Sequence, residues 1–110
     1  MALDPEEARR LLLARLDELR GEDALAAGST APVTLEQDSV GRLSRVDALQ
    51  LQSMALAAQR RRDAEKSQIE AALRRLRDGE YGYCLTCGED IGEARLRVNP
   101  ANARCVSCAA

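Results

Sequence analysis

Three observations predict a mainly α protein, an antiparallel helical hairpin or coiled coil that runs into a small cysteine-rich module. The 110 residues draw their apolar content mostly from Ala and Leu, 31% of them are charged, and Tyr81 and Tyr83 are the only aromatic side chains. That composition suits long helices and leaves little for a large mixed core. Apolar residues recur at helical spacing in two stretches, separated by a Gly-Ser-Thr-Ala-Pro break at Gly28–Pro32. All four cysteines fall after residue 83. The expected division is residues 1–78 for the hairpin and 79–110 for the module.

The first helix is expected from Pro5 to Ala27. Asp4 can cap it, Pro5 suits its first position, and Glu6 and Glu7 complement the positive end of the helix dipole. Ala8, Leu11, Leu12, Leu16 and Leu19 form one apolar stripe. Gly21 lies inside the helix in this reading, and Gly28 stops it. Val33–Ser39 has no clear period and reads as the connection, with Asp38 or Ser39 as a cap for the next helix. The second helix is expected from Val40 to Asp78, with Gly41 near its start and a stripe through Val40, Leu43, Met54, Ala57, Ala58, Ile69, Leu73 and Leu76. Leu51 and Ala55 lie on an adjacent face. Such a helix would be about 60 Å long, against about 35 Å for the first. The overhang needs the connection, a break near Gly41, or a second chain to cover it.

Asp78-Gly79 ends the second helix. Cys84 and Cys87 then form one C-x2-C pair, and Cys105 and Cys108 the other. Two intervening residues let a tight turn aim both sulfurs at one ion, and two such knuckles supply four soft ligands in a tetrahedron. Gly88 can take the backbone angles such a knuckle needs at its end. The spacing favours one structural Zn2+ in a zinc-ribbon-like module over two disulfides or four unrelated thiols. Four protein ligands leave no vacancy for water, so the site is structural rather than catalytic. Ile91, Leu96 and Val98 are expected to supply the module's few apolar contacts.

Charge and composition exclude several functions. The net charge of −2 argues against a general nucleic-acid coat, and no aromatic is interleaved with basic residues. No run is apolar enough to span a membrane. The N-terminus lacks a signal peptide's pattern, and reduced metal-binding cysteines suggest the cytoplasm. There is no histidine to serve as a general base, and the chain reads as a non-enzyme.

The run G-x-Y-G-Y-C-x-x-C-G-x-x-I-G-x-x-R-L, closed by a second C-x-x-C, resembles the TraR/DksA family of bacterial transcription regulators. It is carried by Gly79, Tyr81, Gly82, Tyr83, Cys84, Cys87, Gly88, Ile91, Gly92, Arg95, Leu96, Pro100, Cys105 and Cys108. The likeness extends through Arg60-Arg61-Arg62-Asp63 and fades before Val40. It implies a coiled-coil finger on a zinc globule that binds RNA polymerase, enters its secondary channel and modulates initiation. The implied contacts are Asp38, Arg42, Ser44 and Arg45 at the tip, and Arg61, Arg62 and Arg95 nearer the base. The free protein would be a monomer or weak dimer.

The sequence departs from that family at its tip, at its alarmone contacts and in its C-terminal helix. Gapless counting puts the family's D-x-x-D-x-A tip at Gly41, Ser44 and Val46, none of which matches. The same counting puts the cations that contact the alarmone ppGpp in longer members at Gln68, Asn99 and Ala109, all uncharged. The resemblance therefore implies regulation without ppGpp dependence, and the C-terminal helix of longer members is missing. Two other readings stand beside it: a zinc-containing module for protein docking or dimerisation, and a DNA-binding zinc protein. The cations from Arg60 to Arg77 are either a docking stripe for an acidic surface or a solvated face laced with pairs such as Glu70–Arg74.

Overall fold

The computed structural model describes residues 3–27 and 42–109, with side chains omitted for 42–44. The protein is mainly α, a helical hairpin followed by a four-cysteine module. Helix α1 spans Pro5–Ala26, α2 spans Arg42–Arg77, and a short α3 spans Glu93–Val98. Ends and caps follow local chemistry. The Asp4 carboxylate accepts the Glu7 N–H at 3.2 Å. Gly21 continues α1 with no atom near the place a Cβ would occupy. The expected connection Gly28–Ser39, its Asp38 or Ser39 cap, and Val40-Gly41 lie outside the described residues.

The far end of α2 closes in a Schellman motif. Gly79, at φ 76°, donates to the Leu76 carbonyl at 3.3 Å, and Glu80 donates to Arg75 at 2.8 Å. Those two bonds satisfy carbonyls the helix would otherwise leave open, and the positive φ explains glycine there.

The helices run antiparallel. Arg15 on α1 meets Glu65 on α2 at 2.5 and 3.0 Å. Farther along α1, Asp23 receives Gln59 at 2.9 Å, Arg62 at 2.7 Å, and Lys66. Lys66 first, then Arg62 and Gln59, hold the Asp23 carboxyl far below the usual carboxylate range. The Arg15–Glu65 pair is exposed enough to contribute about 0–1 kcal/mol, and the Asp23 pairs are part-buried; apolar burial is the larger support of the hairpin. Ala8, Leu12, Leu16 and Leu19 are buried as the stripe requires, with Leu11 partly buried beside them. On α2 the base of the expected stripe is covered, with Ile69 buried and Leu73 and Leu76 packed against the core; Ala57 and Ala58 are half-buried, and Val40 and the Leu43 side chain lie outside the described residues.

The distal part of α2 is the overhang that the unequal lengths imply. Met54 is 64% exposed and Leu51 66%, and Val46, Leu49 and Leu56 are exposed with them. The physical reason is length: α1 has 22 residues and α2 has 36.

The module joins the hairpin through one continuous core. Leu3, Ala8 and Leu12 belong to the same buried cluster as Tyr81, Ile91, Leu96 and Ala101. Arg97 of α3 reaches back to Glu7 at 2.6 and 3.3 Å, and also holds Glu93. Tyr81 donates its hydroxyl to the Pro100 carbonyl at 2.8 Å, and burial pushes its pKa up to about 12. The ribbon character is reduced, among the described residues, to one isolated bridge between Tyr83 and Asp90.

Helix α3 falls between the knuckles, where no element is expected from the sequence, and it reverses one expectation. Its turn points Leu96 fully inward and leaves Val98 86% exposed. Residues two apart on a helix point to different sides, so both could not join the core. A local signal for α3 exists: the Asp90 carboxylate accepts the Gly92 N–H at 2.9 Å just before Glu93.

Candidate metal centre

Each C-x2-C pair is a knuckle closed by its own backbone. Gly88 donates to the Cys84 carbonyl at 2.9 Å, while Cys108 and Ala109 donate to the Cys105 carbonyl at 3.1 and 3.0 Å. Gly88 sits at φ 76°, as its place after Cys87 requires. Main-chain bonding also ties the knuckles together, with the Leu85 N–H on the Ala103 carbonyl at 2.8 Å.

The result is convergence of all four sulfurs. The Sγ atoms of Cys84, Cys87, Cys105 and Cys108 lie within 4.8 Å of one another. Those of Cys87 and Cys105 are 3.6 Å apart. Zn–S bonds of about 2.3 Å in a tetrahedron place sulfurs about 3.8 Å apart, so the cluster fits zinc. A disulfide needs about 2.0 Å, and all four cysteines are free. The disulfide alternative falls on that geometry.

Electrostatics agree with a dication. The Cys87 N–H foremost, then the Cys105 and Thr86 N–H groups, draw the Cys84 thiol down to about 6 against the effect of its burial. The Cys105 sulfur, then those of Cys84 and Cys87, pushes Cys108 up to about 12. Four sulfurs this close do not all ionise by themselves, and Zn2+ supplies the missing positive charge. One structural zinc, held by the four thiolates, is the cofactor.

Residues 79–110 match the prokaryotic dksA/traR C4-type zinc finger. Along most of its length the chain is 31% identical, over 104 residues, to the RNA polymerase-binding transcription factor DksA of Escherichia coli K12. That alignment covers 91% of this chain and 65% of the relative. The chain belongs to the TraR/DksA family. The DksA of Haemophilus influenzae is 42% identical over 52 residues, covering 44% of this chain and 36% of that protein. Transcription factor DksA2 from Pseudomonas aeruginosa has a similar structure, with a TM-score of 0.79 at 27% identity, covering 94% of this chain and 78% of that one. The chain thus spans from about a third to just under two thirds of these two DksA relatives from E. coli and H. influenzae.

The family resemblance named further residues, and the structure separates them. Asp38 lies outside the described residues, and Arg42 and Ser44 are in the first turn of α2 without described side chains. Arg45 is exposed. Arg61 is exposed on the rim of a cleft of about 570 Å³ shared with Leu11, Arg15, Gln68, Asn99 and Pro100. Arg62, its neighbour, is only 14% exposed and faces into the hairpin, with Nε on Asp23 and Nη2 on the Gln59 side-chain oxygen at 2.7 Å each. Arg62 and Lys66 are thus structural, and the expected cationic stripe is thinner than it reads. Arg95 turns its Nε to the Arg104 carbonyl at 3.0 Å. The interhelical clamp on Asp23 and the Arg97–Glu7 tie escape a reading of the sequence, since neither pair is local along the chain.

Proposed function

We propose that this protein is an RNA polymerase-binding regulator of transcription initiation, acting in the cytoplasm and without enzymatic chemistry of its own. Residues 1–78 serve as the finger and residues 79–110 as its zinc-held base. The relatives from E. coli and H. influenzae are named RNA polymerase-binding transcription factors. The observation that carries the reading is the exposed apolar surface on the distal part of α2. Val46, Leu49, Leu51, Met54 and Leu56 stand exposed on a helix that outruns its partner. The molecule is 61 Å long and 20 Å across its thinnest dimension. Such a shape is suited to entering the polymerase secondary channel, where a protein partner covers apolar surface that water does not favour.

At the base, Arg61 and its cleft take an acidic segment of the polymerase, with Arg95 on the neighbouring side of the module. Asp38, Arg42, Ser44 and Arg45 form the tip. The contacts are with protein rather than a DNA sequence. Self-association through the same α2 face is the second reading, and it predicts a dimer that polymerase does not dissociate.

The test is capture of purified RNA polymerase core. Arg61→Glu is expected to weaken binding on the order of tenfold, and raised salt to weaken it further. Arg9→Glu, on the other flank of the hairpin, is expected to change it little. Arg62 is unsuited to this test because its reversal breaks the Asp23 clamp. Equal effects of Arg61→Glu and Arg9→Glu would remove the docking role. A stable dimer with no polymerase capture would favour the second reading.

The action is also independent of ppGpp through this protein. Gln68, Asn99 and Ala109 are neutral, and a polyanion needs charge-assisted bonds from Arg or Lys. Arg95 is turned to a backbone carbonyl. In vitro transcription with a polymerase lacking its other alarmone site is expected to show no potentiation by ppGpp. Marked potentiation that Arg95→Ala abolishes would overturn this.

A further inference from the structure

The Cys84 side chain is the most buried of the four. The Thr86 N–H lies 3.4 Å from its sulfur, and the three N–H groups of Cys87, Cys105 and Thr86 favour its thiolate. Two of those three belong to segments held from outside the knuckles by arginine side chains. The Arg95 Nε donates to the Arg104 carbonyl at 3.0 Å. That carbonyl and the Cys105 N–H are the two ends of one planar peptide unit. Fixing the oxygen therefore fixes the direction of the Cys105 N–H, one of the groups that favour the Cys84 thiolate. A cationic donor on the oxygen also polarises the peptide and strengthens its N–H as a donor.

The second arm runs through Arg104 itself. Its Nε donates to the Thr86 hydroxyl at 3.2 Å. The Thr86 backbone N–H lies 3.4 Å from the Cys84 sulfur. Asn102 closes the base of the brace, its side-chain amide donating to the Arg95 carbonyl at 3.1 Å. The second knuckle is thereby anchored to α3, and both arms end on one sulfur.

The structure assigns Arg95 and Arg104 as positioning residues of the zinc centre: together they orient the N–H groups that hold the Cys84 thiolate, and so set how firmly the ion is retained. This extends the role of Arg95 beyond a surface cation. It also separates α3 into two sides. Arg97, two residues on, ties the helix to Glu7 and Glu93 and touches neither knuckle.

The test uses the full zinc-loaded chain and tracks transfer of zinc to a chromophoric chelator. Arg95→Ala is expected to release zinc about tenfold faster than the parent, within the range typical of groups that orient metal ligands. Arg104→Ala is expected to accelerate release in the same direction. Arg95→Lys keeps a cationic donor and is expected to restore most of the retention. Arg97→Ala removes two ion pairs and is expected to leave the release rate unchanged. The Co2+-substituted protein gives a second readout, since altered bonding at one thiolate shifts the absorption bands of the tetrathiolate while helicity stays constant. Release from Arg95→Ala within about twofold of the parent, an unshifted Co2+ spectrum, or equally fast release from Arg97→Ala would overturn the assignment.

Discussion

Replacing Cys84 with serine is expected to abolish stoichiometric zinc binding and unfold the C-terminal module. The magnitude comes from comparing two energies. A structural zinc supplies on the order of 10 kcal/mol of folding free energy. A whole domain is stable by about 5–15 kcal/mol. Losing the ion therefore removes most of what holds a module whose buried apolar residues, among the described ones, are Tyr81, Ile91, Leu96 and Ala101 besides Cys84 itself. The damage does not stop at residue 79, because Leu3, Ala8 and Leu12 share that core. The start of α1 is expected to fray, while the middle of the hairpin keeps its helical signal through Leu16, Leu19 and Ile69. Metal analysis and circular dichroism on the same reduced sample check this. A well-folded parent with less than about half an equivalent of zinc would contradict the account.

Leu96→Ala is expected to cost about 2–5 kcal/mol, the usual range for emptying a buried leucine site. Leu96 is fully buried where α3 meets the core, so its removal opens a cavity between module and hairpin. Val98→Ala, on the same short helix, is expected to change stability by no more than about 0.5 kcal/mol, since Val98 is largely in water. Urea unfolding of the two variants, with the midpoint read at constant slope, measures the difference. Equal destabilisation by both would mean that α3 packs with another face inward.

These two residues also show where sequence reading stops. Leu96 and Val98 are both apolar and lie between the knuckles. Residue type does not distinguish them, and the helical turn of α3 and its packing decide which one is buried. The same holds for Arg61 and Arg62. They are identical in type and adjacent, yet one faces solvent and the other pairs with Asp23. Asp23 is far away in sequence, so only the hairpin's register could choose between them. Residues 28–41, where the connection and Asp38 fall, are outside the described structure and add nothing to this comparison.

Local chemistry is legible from the order of residues. The two C-x2-C pairs specify four ligands and their knuckles, because a metal site's turn geometry is written within a few residues. The Asp4-Pro5 start, the glycine stop at Gly79 and the stripe Ala8, Leu12, Leu16, Leu19 specify their helices for the same reason. Which apolar and charged side chains are put to use is settled only when the elements meet. The stripe on α2 is covered at Ile69 and bare at Met54 because α1 is the shorter helix. Arg95 reaches the peptide ahead of Cys105 only once α3 has folded against the second knuckle. Burial and pairing are properties of two surfaces in contact, and any one stretch of sequence carries only one of them.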